Sequence, residues 1–177
     1  MNKALVVLDL QKGFVEQGNF QERIDRIEKM ISHFEENKNE VIFFKHIDYD
    51  IENSPLFFKN KDNIEIIVDT NNSKVFEKSE PSAFTNNNFK AYIKEKNIDH
   101  IFITGFNTEY CCLFTAISAY HENIKVTFIE DATVTVNDEA TYEMKGLDIY
   151  DFIGTVLDWS NCIEVLYYDE YKELYTA

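Results

Sequence analysis

Ala4-Leu5-Val6-Val7-Leu8-Asp9 is the stretch on which the fold turns. Five apolar residues in a row, two of them β-branched, match the length and content of a buried strand. An alternating pattern would leave one face wet. A continuous run predicts a strand covered on both faces, which is the signature of a parallel sheet. Gln11-Lys12-Gly13 follows, and then an amphipathic helix over Glu22 to Glu36. There Ile24, Ile27, Met30, Ile31 and Phe34 recur at helical spacing between charges. Val41 to Phe44 reads as a second buried strand. Asp48 to Asn63 is irregular and holds Pro55, and Ile64 to Val68 fits either a strand or a turn of helix.

The same alternation continues downstream. Val75 to Lys78 is a short strand, and Asn87 to Lys96 a helix with Phe89, Tyr92 and Ile93 inward. His100 to Thr104 is a strand ending at Gly105, and Glu109 to His121 is a helix. Lys125 to Ile129 is a strand, Asp138 to Asp158 one or two helices, and Ile163 to Leu166 the last strand. Strands alternating with helices predict an α/β fold with three α/β/α layers, a Rossmann-like sheet of about six strands, and one domain over residues 1–177.

Composition bounds the function. The 177 residues are 45% hydrophobic and 15% aromatic, which suffices for a sizeable core. Lys and Arg number 17 against 32 Asp and Glu, a net charge of −15. Such a surface repels phosphate backbones and anionic lipid, so neither nucleic acid nor membrane is an expected partner. No apolar run approaches the roughly 18 to 20 residues of a membrane span. The first apolar stretch is too short for a signal peptide, so a cytoplasmic location is expected. The three cysteines, Cys111, Cys112 and Cys162, are too few for a disulfide framework.

In parallel α/β folds ligands sit at the carboxyl ends of the strands. That rule gathers Asp9, Lys78 and the loop after Thr104 at one rim. Separately each has an ordinary reading: a capping carboxylate, a solvated lysine, an inert thiol. Together an acid, an amine and a thiol suit nucleophilic catalysis by cysteine. Asp9 would take the thiol proton, Lys78 would hold the negative charge, and backbone N–H groups near the helix start would form an oxyanion hole. The helix start and Lys78 are expected to lower the Cys111 thiol pKa, with Glu80 and Glu109 opposing. Of His33, His46, His100 and His121, only His46 stands where it could reach the site. The adjacent Cys111 and Cys112 point about 100° apart on a helix, which argues against a disulfide between them.

Four elements carry a family resemblance. They are Ala4 to Phe14 with Asp9 and Gln11, Lys78-Ser-Glu-Pro-Ser-Ala-Phe84, Thr104-Gly-Phe-Asn-Thr108-Glu-Tyr-Cys111-Cys112 continuing to Ala119, and Ile129-Glu-Asp131-Ala132. In order and spacing they resemble the isochorismatase-like cysteine hydrolases, which include nicotinamidases and related amidases. The resemblance implies a six-stranded, mostly parallel sheet between helices. It implies Asp9 as general base, Lys78 as its charged partner and Cys111 as nucleophile, with Cys112 a small buried residue. It further implies a cis Phe106–Asn107 bond, with the N–H groups of Asn107 and Cys111 aimed at the substrate oxygen. The reaction implied is attack on an amide-type carbonyl, release of ammonia or an amine, and hydrolysis of a thioester. Family members assemble as dimers or larger oligomers, so a homo-oligomer is expected.

Nicotinamidases hold a metal with an Asp-x-His pair and a later His. The matching stretch here, His46 to Glu52, has one histidine, so no metal and no cofactor is expected. Phe14, Phe84 and Tyr110 are candidate walls for a flat substrate ring, with core packing the plainer reading. Substrate choice is expected in the Asp48 to Asn63 loop. Ile149, Phe152, Ile153, Val156, Leu157 and Trp159 serve either the core or an interface. The leading expectation is a metal-independent cysteine amidohydrolase of a small molecule. The alternatives are a non-catalytic binding member of the same fold and a nicotinamidase.

Overall fold

Because successive residues of a strand face opposite sides, the run at Ala4 to Leu8 must feed two separate cores. In the computed structural model, which describes residues 2–71 and 73–176, it does so. Ala4, Val6 and Leu8 pack on one side with Phe89, Ile93, Ala116, Ala119, Ile153 and Leu157. Leu5 and Val7 pack on the other with Ile24, Ile27, Met30, Phe34 and Tyr171.

Six strands form one sheet: β1 (Lys3–Leu8), β2 (Glu40–His46), β3 (Lys74–Lys78), β4 (His100–Phe106), β5 (Lys125–Val134) and β6 (Glu164–Leu166). Their order is β3-β2-β1-β4-β5-β6, and every pairing is parallel, so the sheet is more uniform than the mostly parallel one expected. A short helix α1 (Lys12–Val15) follows β1. Helices α2 (Gln21–Glu36) and α6 (Tyr168–Tyr175) cover one face. Helices α3 (Asn87–Glu95), α4 (Leu113–His121) and α5 (Ile149–Trp159) cover the other. None of the described helices is long and apolar enough to cross a membrane.

The winding reverses between β1 and β4, which are neighbours in the sheet but distant in sequence. At such a point the loops above the two strands diverge and open a crevice. Register aligns the strand ends there: Leu8 pairs with Phe44 on one side and with Gly105 on the other, and His46 pairs with Lys78.

Four segments depart from the sequence reading. β5 extends to Val134 instead of stopping at Ile129, because its register against β4 shifts between Ile103 and Gly105. The bulge absorbs Glu130 and Asp131, the second paired with Arg26 at 3.2 Å. Residues 138–148 form turns, and the helix begins only after Asp148, whose carboxylate accepts from the N–H groups of Tyr150 and Asp151. α6 was not expected from its charged sequence. It is held by Tyr171, stacked on Phe34 and edge-on to Phe102. Ile64 to Val68 is neither strand nor helix; Ile66 makes a single antiparallel bridge to Gln11.

Candidate active site

β1 delivers Asp9 to the crevice by a sharp exit. Asp9 adopts a left-handed backbone (φ 51°), a conformation that aspartate tolerates better than most residues. Its N–H donates to the Phe44 carbonyl at 3.1 Å, and its own carbonyl accepts from the Gln11 N–H at 2.7 Å. β3 is an edge strand, exposed or half-exposed until its last residue, Lys78, which is buried. β4 passes Gly105 (φ 104°), where a Cβ would lie 2.0 Å from the Leu8 carbonyl oxygen. Only glycine allows β4 to lie that close to β1 there. The Phe106–Asn107 peptide bond is cis. A π-helical turn, Thr108–Cys112, then carries Cys111 into α4. The segment after Lys78 is tied to α4 by Ala83 N–H to Thr115 Oγ1 (3.0 Å) and by Ser82 to Ser118 (2.8 Å).

These elements bring Asp9, Lys78 and Cys111 together. The Lys78 ammonium donates to Asp9 Oδ2 at 2.7 Å and to Cys111 Sγ at 3.1 Å. The side chains of Lys78 and Asp9 are fully covered, and Cys111 is 5% exposed. Asp9 Oδ1 is buried and has no hydrogen-bond partner. An unused acceptor beside a thiol is a ready destination for that thiol's proton. A buried ion pair of this kind is costly to break, since the partner left behind keeps an uncompensated charge.

The electrostatics differ from the sequence expectation. Burial and then the Asp9 carboxylate push the Cys111 thiol up to about 12, and Lys78 only partly offsets them. Burial is the largest of these causes. For Lys78, burial disfavours the charge, but Asp9 and Cys111 outweigh it and hold the ammonium above its ordinary pKa. These surroundings favour the neutral thiol at Cys111 and the ammonium at Lys78. Cys112 is fully buried, which pushes its thiol far up, and its Sγ donates to the Gly105 carbonyl at 3.3 Å. That is the behaviour of a small core residue.

Glu109 was expected to oppose a thiolate. Its Oε1 accepts from Thr135 Oγ1 (2.8 Å), Asn137 Nδ2 (2.7 Å) and Tyr142 OH (2.9 Å), anchoring the loop after β5, and its charge raises the pKa of the neighbouring Cys112 thiol. Glu80 is exposed. Of the candidate walls, Phe14 stacks on Phe106 at 5.6 Å, next to the strand end that leads to Asn107. Tyr110 is partly exposed and lines a cavity of about 200 Å³ with Glu109, Tyr142, Leu147 and Phe152. Phe84 is buried edge-on to Phe89 and borders a groove with Ile93, Ile98 and Ile124, which precede or approach the amino ends of β4 and β5. It lies in the same apolar cluster as Cys111. Asn107 is buried, and its side-chain oxygen accepts from the Val136 N–H at 3.0 Å.

Two further residues shape the site: His46, the histidine that the sequence places within reach, and Gln11. His46 Nδ1 lies 3.2 Å from the Lys78 ammonium, and single donor atoms of Asp9, His46 and Cys111 fall within 4.8 Å of one another. Gln11 clamps the His46 backbone with both ends of its amide, accepting from the His46 N–H at 2.8 Å and donating to its carbonyl at 3.1 Å. The spacing of Asp9 and Gln11 was a visible signal, but its target across the sheet was not.

Asp9, His46 and Cys111 are the one group among the described residues that could share a metal ion, and the Lys78 ammonium contacts all three. His46 Nε2 and Asp48 Oδ1 are hydrogen-bonded at 3.0 Å, and Asp48 Oδ2 accepts from the Ser54 hydroxyl. Glu52 is exposed. His46 and Asp48 are thus matched to one another.

Residues 3–160 match the model of the isochorismatase domain. Among solved structures, the chain is similar to a cysteine hydrolase from Pseudomonas syringae, with a TM-score of 0.83, 19% identity, and coverage of 96% of this chain and 90% of the other. It is also similar to an isochorismatase-like hydrolase from Alkaliphilus metalliredigens, with a TM-score of 0.79, 19% identity and coverage of 97% of both chains. A third similar structure is a nicotinamidase from Bacillus subtilis, with a TM-score of 0.76, 20% identity, and coverage of 93% of this chain and 99% of the other. These likenesses establish the fold. A search of curated proteins finds no match.

Proposed function

The chain belongs to the isochorismatase family, and from that premise we propose that it is a metal-independent cysteine hydrolase acting on a small-molecule amide. The observation that carries the reading is the Lys78 ammonium set between the Asp9 carboxylate and the Cys111 sulfur, with Asp9 Oδ1 unpartnered.

Asp9 removes the Cys111 thiol proton as the sulfur attacks the amide carbon. The raised thiol pKa makes this a general-base step rather than the use of a standing thiolate. Lys78 keeps its proton throughout and holds the negative charge that passes between sulfur and carboxylate. The carbonyl oxygen, now an anion, is received by the backbone N–H groups of Asn107 and Cys111. The C–N bond breaks, and protonated Asp9 returns its proton to the departing nitrogen. A water molecule, deprotonated by Asp9, then attacks the thioester carbon. The C–S bond breaks, the acid product leaves, and Cys111 regains its proton.

Phe14, Phe84 and Tyr110 are the residues proposed to hold the substrate. The chain acts as one domain in the cytoplasm and as a homo-oligomer. Exposed Phe152, Val156 and Trp159 on α5 supply an apolar surface for assembly.

A screen of nicotinamide, pyrazinamide and carbamoyl compounds, read by released ammonia, tests the activity. Cys111→Ala and Cys111→Ser are expected to abolish turnover while circular dichroism stays unchanged. Turnover that survives either change defeats the proposal. A folded protein that hydrolyses none of these amides indicates a binding member of the same fold.

A further inference from the structure

An ammonium has three protons, and that of Lys78 meets three acceptors: Asp9 Oδ2 at 2.7 Å, Cys111 Sγ at 3.1 Å and His46 Nδ1 at 3.2 Å. Only the first two belong to the reaction proposed above. Lysine carries no acceptor, so the His46 nitrogen facing it must offer a lone pair. The ring is then neutral, with its proton on Nε2 directed at Asp48 Oδ1, 3.0 Å away. Asp48 is steadied in turn by the Ser54 hydroxyl on its second oxygen. The His46 backbone is clamped on both sides by the Gln11 amide.

We infer that His46 is a positioning residue: through its Nδ1 lone pair it takes the third proton of Lys78 and holds the ammonium against the Cys111 sulfur. This rests on the cysteine-hydrolase reading and adds a fourth residue to it. Lysine has a long, freely rotating stem, and two acceptors constrain its head group less than three. A third acceptor, from a different strand, supplies that constraint. His46 and Lys78 are register partners on β2 and β3, so the contact is built into the sheet. A doubly protonated ring would set a cation against the ammonium, which is why Asp48, an acceptor, stands behind Nε2 and fixes the tautomer.

The test is the alkylation rate of Cys111 by iodoacetamide at neutral pH, followed by mass spectrometry. Exposed Cys162 in the same chain serves as the internal reference. His46→Leu removes the acceptor and is expected to slow Cys111 about tenfold, the equivalent of about one pKa step. His46→Asn keeps an oxygen near the Nδ1 position and is expected to stay within about threefold of the unmodified protein, on the same scale. Cys162 should react equally in all. A purely structural role predicts the opposite sign, because a loosened site exposes the sulfur and speeds its reaction. The inference is overturned if His46→Leu reacts as fast as the unmodified protein or faster, or if His46→Asn is as slow as His46→Leu. Should the leucine variant fail to fold, His46→Gln replaces it. Its amide reaches the Nε2 position and leaves Lys78 without its third acceptor, so it too should be slow. Failure of the hydrolase reading is separate, since it would be seen as ammonia release that does not depend on Cys111.

Discussion

The sulfur of Cys111 lies between a carboxylate that raises its pKa and an ammonium that lowers it, inside a buried pocket that favours the neutral thiol. Removing the carboxylate should therefore have two effects of opposite sense. Asp9→Asn is expected to speed alkylation of Cys111 at a given pH, because a cause of the raised pKa is gone. The same variant is expected to lose amide hydrolysis, because no base remains to take the thiol proton and return it to the leaving nitrogen. Parallel alkylation and ammonia assays check both. A second buried group, His100, answers to pH through stability. Its Nε2 faces Thr127 Oγ1 at 2.7 Å, and its Nδ1 has no partner. Burial, and then Lys125, push it down to about 4 from an ordinary 6.5. Between those values the unfolded chain binds a proton that the folded chain does not, so stability falls as pH drops from about 6.5 to about 4. The loss attributable to His100 is at most about 3 kcal/mol. Urea unfolding of His100→Asn across that range should show a shallower pH dependence than the unmodified protein.

Among the elements, β4 and the turn after it carry the most constraint. Gly105 lets β4 lie against β1 at the switch point, where a side chain would overlap the Leu8 carbonyl. Gly105→Ala must shift one strand or the other and adopt an unfavourable backbone, and a cost of about 2–4 kcal/mol is expected. Denaturant midpoints measure it. Because the same displacement moves Cys111, activity should fall in the fraction that still folds. The elements that periodicity missed share a cause. α6 carries its helical spacing on Tyr168, Tyr171 and Tyr175 between charges, and its tyrosines are ordered by reaching Phe34 and Phe102. The end of β5 carries Glu130 and Asp131, which look like a strand terminus until Arg26 and a bulge accommodate them. In 138–148 a helical reading fails because Gly146 takes a left-handed backbone and Asp148 starts α5 afresh.

At the scale of the whole molecule, a charge of −15 opposes the approach of a second copy. Phe114 and Ile117 on α4 and Phe152, Val156 and Trp159 on α5 are exposed apolar residues on helices that cover one face of the sheet, and Trp159 is 80% exposed. Assembly through those residues should strengthen with salt, which screens the repulsion and leaves the apolar contact intact. Light scattering of a Phe152→Glu, Val156→Glu double variant is expected to give the monomer mass where the unmodified protein gives an oligomer. Equal masses for the two would exclude this face as the contact.

Sequence by itself determined the layered architecture and the rim on which chemistry gathers. Apolar runs such as Ala4 to Leu8 report their own burial on both faces, and a parallel sheet aligns its strand ends, so Asp9, Lys78 and Cys111 could be placed on one edge without coordinates. Only the tertiary structure decided what those three groups feel. The third acceptor of Lys78 comes from His46, the clamp on His46 comes from Gln11, and Glu109 is held by Thr135, Asn137 and Tyr142. Periodicity records whether a residue is buried, which is a local property of the chain. Hydrogen-bond partners and pKa depend on distances of a few ångströms between strands far apart in sequence, and those are set only when the sheet closes.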